Sequence, residues 1–147
     1  MKTKLYTIGF TGKSAETFFE LLSKAGVTKI IDTRINNVSQ LAGFAKGADL
    51  KYFSRQIGNM DYEHNLDYAP TKELLTAYRD KEMTWTEYEV KYLSLLKERD
   101  ILSTTKLKSL HKACLLCSEH EPDHCHRRLL ADYLQKAHTS LEIIHLM

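Results

Sequence analysis

The stretch richest in reactive side chains is Cys117-Ser118-Glu119, five intervening residues, then Cys125-His126-Arg127. Pro122-Asp123 reads as a helix start with Asp123 or His124 as N-cap, which puts Cys125 in the first turn. Unpaired backbone N–H groups and the helix dipole lower a thiol's pKa there and attract anions, and Arg127 and Arg128 add positive charge. Cys125 is therefore expected as a thiolate beside a seat for phosphate or carboxylate. The plainer alternative packs Cys125 under the turn and leaves His124, His126 and both arginines in water. Arg127 is expected to bind an anion or to anchor Asp32, because a cation at a helix N-terminus loses roughly 0.3–1 kcal/mol unless something negative offsets it. A second constellation is Asp32 and Arg34, two apart where a strand should end. They offer a carboxylate beside an arginine fork, or an acid/base pair, against the alternative of a structural ion pair at a loop base. His64 reads as a surface histidine.

Metal chemistry is a competing reading. Cys114-Leu115-Leu116-Cys117 has the two-residue gap of a zinc knuckle, with His120, His124 and His126 nearby. The two leucines instead suggest a buried strand, in which positions three apart point to opposite faces, so Cys114 is expected as a core thiol. A looser set of Cys117, Cys125 and a histidine is the other metal reading, and no metal ligands are assigned from sequence. Three familiar chemistries fail on spacing. Six residues beyond Cys117 and Cys125 stand Asp123 and Ala131, where a phosphatase-type cradle needs arginine. The His-x-Glu and Pro-Cys-x-x-Cys pair of a zinc deaminase is absent. Gly12-Lys13-Ser14 lacks the earlier glycine of a phosphate loop, since position 7 is Thr7.

These residues need elements to hold them. Leu5 to Ile8 is β-prone and is halted by Gly9; Ser14 caps a helix with Ala15, Phe18, Phe19, Leu22 and Ala25 on one face, stopped by Gly26. Val27 to Ile31 follows as a strand, giving a βαβ unit with parallel strands. The polar stretch from Arg34 to Gly43 reads as a functional or disordered loop. Asp49 is expected to cap a helix ending at Gly58, Asp61 to His64 to form a weak strand, and Pro70-Thr71 to open a helix to about Lys81. Thr84 and Glu87 make a capping box for a helix to about Asp100. Ala113 to Cys117 has the apolar character of a buried parallel strand, a helix from about His124 to Ala137 packs through Leu129, Leu130, Tyr133 and Leu134, and Leu141 to Leu146 closes the sheet. The expectation is one α/β domain over residues 1–147, a three-layer sandwich of about five mostly parallel strands with helices on both faces.

Composition bounds the function. The chain has 147 residues, 43% apolar and 27% charged, with a net charge of only +2, so nucleic-acid binding is left open but not indicated, and any anion site must be local. No apolar run approaches the ~18 residues of a membrane span, and no signal peptide is evident. A cytoplasmic protein without membrane partners is expected, and its three cysteines suit thiols or ligands better than a disulfide framework.

Tyr6-Thr7-Ile8-Gly9, Phe18-Phe19, Asp32-Thr33-Arg34, Leu116-Cys117-Ser118-Glu119 and Cys125-His126-Arg127 together resemble the domain-of-unknown-function 488 family, with Asn36-Asn37 standing where many members have a proline. The resemblance implies a compact α/β fold and a shared polar site, with no established reaction. The expected function is an enzyme acting on an anionic, nucleotide-like substrate. Glu119 or Asp32 would be the acid/base, Cys125 or Cys117 a thiolate nucleophile or ligand, and Arg34, His126 and Arg127 the substrate-binding groups. The alternative is a non-catalytic module that binds metal, nucleotide or nucleic acid through the same face. Neither reading names a cofactor.

Overall fold

Five short runs of strand-forming residues pair into a single sheet: β1 (Thr3–Gly9), β2 (Lys29–Asp32), β3 (Asp61–His64), β4 (Ala113–Cys117) and β5 (Leu141–Leu146). The computed structural model describes residues 2–37, 43–119 and 123–147. The strand order is β3-β2-β4-β1-β5 and every pairing is parallel. Parallel strands cannot be joined by tight hairpins, so the connections are helical. They are α1 (Ala15–Ala25), α2 (Gly47–Gly58), α3 (Lys72–Arg79), α4 (Trp85–Glu98), α5 (Ile101–Thr104), α6 (Leu107–Leu110) and α7 (His126–Ala137). None of the described helices is long and apolar enough to cross a membrane.

Two cores sandwich the sheet. Tyr6, Ile8, Ile30, Cys114 and Leu116 face Phe18, Phe19 and Leu22 of α1 and Leu50 of α2. Leu5, Ile31, Ala113 and Leu115 face Leu74 of α3, Tyr88, Tyr92 and Leu96 of α4, and Leu129, Leu130 and Leu134 of α7. The period-two alternation of each strand therefore sends Cys114 to the first core and Cys117 toward the second. Cys114 is fully buried, as expected of a core thiol, and its position opposite Cys117 excludes a knuckle between them.

Most expected elements form where the sequence places them. Ser14 accepts from the Thr17 N–H to start α1, Gly26 ends it with a left-handed φ of 81°, and Thr84 and Glu87 complete the capping box of α4. Two starts differ. Helix α2 begins at Gly47, after Lys46, not at an Asp49 cap. Gly47 donates its N–H to the Asn37 carbonyl, and a Cβ there would lie 2.4 Å from Asn37 Nδ2. That tertiary contact starts the helix early, and Asp49 falls in its first turn. Helix α7 has Cys125 itself as N-cap, in extended conformation and without a side-chain cap bond, so Cys125 is not in the first turn. The middle of the expected 34–43 loop, residues 38–42, and the expected helix-start residue Pro122 lie outside the described residues.

Candidate functional site

Strand β4 follows β3 in the chain yet lies between β1 and β2. The connection leaving β1 crosses one face toward β2, while the connection leaving β4 crosses the other face toward β5. Neighbouring strands whose chains depart to opposite faces open a crevice at their carboxyl ends, the usual ligand position in open parallel sheets. Gly9 and Cys117 are paired at that rim, and Leu116 pairs with Asp32.

The predicted residues gather there in two groups, one on each face of the rim. On the α1–α2 face, the Arg34 guanidinium bonds to Asp32 through Nε (2.8 Å) and Nη2 (2.7 Å), and Nη2 also donates to the Ala45 carbonyl. Tyr62 of β3 donates its hydroxyl to Asp32 Oδ2, and the Arg34 guanidinium stands 5.1 Å over the Phe10 ring. Both members of the pair are buried, which settles that it is not a solvated surface bridge. Burial by itself would lower the Arg34 pKa, but Asp32 outweighs it and holds the charge. Burial and the Asp32 carboxylate push the Tyr62 pKa up to about 12. Arg34 Nη1 is buried with no hydrogen-bond partner among the described residues.

On the α7 face, Cys117, Cys125 and His126 converge. The Cys117 Sγ lies 3.6 Å from His126 Nδ1, and His126 Nε2 lies 2.9 Å from the Thr33 carbonyl and 3.0 Å from the Thr33 hydroxyl. The Thr33 hydroxyl donates to the Leu116 carbonyl, so both of its contacts with Nε2 are acceptor contacts. Nε2 must then carry a proton, and Nδ1 faces Cys117, as an N–H donor when the ring is charged and with a lone pair when it is neutral. A ladder of rings from α4, Trp85 on Tyr88 and Tyr88 on Tyr92, ends with Tyr92 edge-on to the imidazole at 5.5 Å.

The electrostatics reverse one expectation. Helix position favours Cys125 among the two thiols that the sequence offers as thiolate, Cys125 or Cys117, but burial and the neighbouring Cys117 push the Cys125 thiol up. A hydrogen bond from Cys125, helped by His126 and Arg127, outweighs burial and brings Cys117 well below the ordinary thiol range. Burial would lower the His126 pKa, but Cys117 raises it by more. The physical reason is the shifted helix start: as an extended N-cap, Cys125 turns its thiol to Cys117 rather than to the dipole.

Arg127 is fully buried, which overturns the solvent-exposed alternative. It does not anchor Asp32, whose oxygens are taken by Arg34 and Tyr62; its Nη1 donates to the Glu119 backbone carbonyl. That carbonyl is wedged against Gly9, where a Cβ would lie 1.5 Å from the oxygen and 2.9 Å from Arg127 Nη1. The Glu119 side chain is exposed at the rim. His64 is a half-buried partner of the Arg34 carbonyl and of Asn37, not a free surface histidine. His120, one of the knuckle histidines, lies outside the described residues. Sequence reasoning missed Thr33, Tyr62, Tyr92 and Gly9 as positioning residues. Thr33 alone had a signal, its place between Asp32 and Arg34 with opposite strand parity.

No curated protein and no solved structure matches the chain. The family model described as Domain of unknown function DUF488 matches residues 14–134, from the cap of α1 through both halves of the rim into the last turn of α7, and the chain belongs to that family.

Proposed function

We propose that the protein is an enzyme acting on a small anionic substrate, of which nucleotides are one class to test, at the carboxyl rim of β4. The observation that carries the reading is Arg34 Nη1, a buried cationic donor with no partner among the described residues. Leaving such a group unsatisfied costs about 1–3 kcal/mol or more, a cost that an anion accepting its N–H would remove. Asp32 holds the guanidinium by its other two nitrogens, so it positions the clamp. Arg127 adds a buried positive charge on the opposite face, the Cys117–Cys125–His126 cluster is the reacting centre, and exposed Glu119 is the proton-transfer group at the rim.

The test is a panel of nucleotides, phosphate monoesters and carboxylates against wild-type protein and Arg34→Lys, read by ligand-observed NMR and by mass spectrometry of products. One anion should bind the wild type and lose at least about tenfold in affinity in the lysine variant, because an ammonium cannot keep the Asp32 fork and present a further donor. Turnover of that anion should vanish in Cys117→Ser while binding persists. Binding that is indifferent to Arg34→Lys in a folded variant, or no binding by any member, would overturn the reading.

A further inference from the structure

We propose that Cys117, Cys125 and His126 form a binding site for a divalent cation of the zinc class. The inference goes beyond the anion reading, since the cation binds whether or not an anion is turned over. Its basis is the donor set. Two free thiols and one imidazole, all buried, place their ligand atoms within 4.8 Å of one another. They come from the end of β4, which is packed on both faces, and the start of α7, which packs on β4 through Leu129, Leu130 and Leu134 in one core.

Three further observations support the assignment. First, a tetrahedral zinc with Zn–S near 2.3 Å and Zn–N near 2.0–2.1 Å holds its sulfur and nitrogen ligands about 3.6 Å apart. The Cys117 Sγ and His126 Nδ1 already stand at 3.6 Å. Secondly, a ligating histidine ordinarily donates its other N–H to a carbonyl, which fixes both tautomer and ring direction. His126 does this toward the Thr33 carbonyl, and the Thr33 hydroxyl, having given its own hydrogen to Leu116, reinforces the same tautomer. Tyr92 holds the ring from its side. Thirdly, Cys125 makes no side-chain bond to the helix it caps, so helix stability does not explain its presence. Serine would cap better. A thiol turned from the helix toward Cys117 is explained by a shared ligand. On binding, each thiol gives up a proton, and two thiolates with one divalent cation leave the buried cluster neutral.

The experiment uses the full chain, reduced and stripped with a chelator. Titration with Co²⁺ should produce a thiolate-to-cobalt charge-transfer band that saturates at one ion per chain and is displaced by Zn²⁺. Cys125→Ser and His126→Gln should weaken cobalt binding by at least about a hundredfold, since even outer-shell changes cost 10–100-fold. Cys114→Ala, on the opposite face of the sheet, should leave it unchanged. In wild-type protein, where no variant can misfold, one equivalent of Zn²⁺ should shield Cys117 and Cys125 together from alkylation, read by peptide mass. Absence of the charge-transfer band in wild type, its survival undiminished in Cys125→Ser and His126→Gln, or alkylation indifferent to Zn²⁺ would overturn the proposal. A cobalt band without any bound anion would leave this site standing and remove the substrate reading; anion binding without the band would do the reverse.

Discussion

At the scale of single residues the rim depends on contacts that allow no extra atoms. Gly9 is required because the Glu119 carbonyl passes against its Cα on the way to Arg127. Gly9→Ala should therefore displace β1 from Glu119 and cost at least the roughly 1–3 kcal/mol typical of overpacking, measurable by urea denaturation. Tyr62 makes a second prediction. An unfolded tyrosine ionises near pH 10, whereas Tyr62 keeps its proton to about 12, so the folded state binds that proton more tightly. The resulting stability is whole below the unfolded value and is lost as pH rises through the folded one. Wild-type unfolding free energy should fall between about pH 10 and 12 more steeply than that of Tyr62→Phe; equal slopes would show that Tyr62 does not titrate as this environment dictates. The side-chain types of this site were legible in the sequence, but their pairing was not. Asp32 and Arg34 declared themselves by spacing, while Tyr62 and His64 reach them only because β3 lies beside β2, a long-range pairing that local pattern does not encode.

At the scale of elements, the signals that held were those with a local mechanism. Helix α4 starts where Thr84 and Glu87 satisfy each other's backbone donors, and Thr84→Ala should cost about 0.5–2 kcal/mol in thermal or chemical unfolding. The misplaced starts were those decided by tertiary contact. Asp49 has a good capping side chain, yet the Gly47–Asn37 approach begins α2 earlier. Asp123 and His124 have capping character, yet Cys125 takes that position in α7, in extended conformation and without a side-chain cap bond. The four-residue helices α5 and α6 escaped notice because each is little more than one turn, too short to show an apolar period. The shift of one or two residues at the start of α7 has a chemical consequence: the lowered thiol is that of Cys117 and not that of Cys125.

At the scale of the whole molecule, the α/β class and two-sided sandwich followed from strand and helix periods, whereas the strand order did not, because β4 skips back over β2 to sit beside β1. That insertion joins the two halves of the rim. Asp32-Thr33-Arg34 leaves β2 with Asp32 and Arg34 turned to one face and Thr33 to the other, and only β4 brings Cys117 beside Thr33 and His126. The site therefore cannot exist before the sheet closes around β4. A fragment of residues 1–112 contains β1, β2 and β3, but β1 has lost both neighbours, β4 and β5, and only the β2–β3 pair remains. Two paired strands do not make an independently stable sheet, and both cores lose the central residues Ala113 to Leu116. The fragment should show the narrow amide dispersion of an unfolded chain in ¹H–¹⁵N spectra. Addition of a peptide covering residues 113–147 should restore dispersed signals, with those of Thr33 and Gly9 returning together because both rim strands close on β4. A fragment that is already dispersed without the peptide would show that β1 and β2 can pair directly, and that the position of β4 is not what assembles the rim.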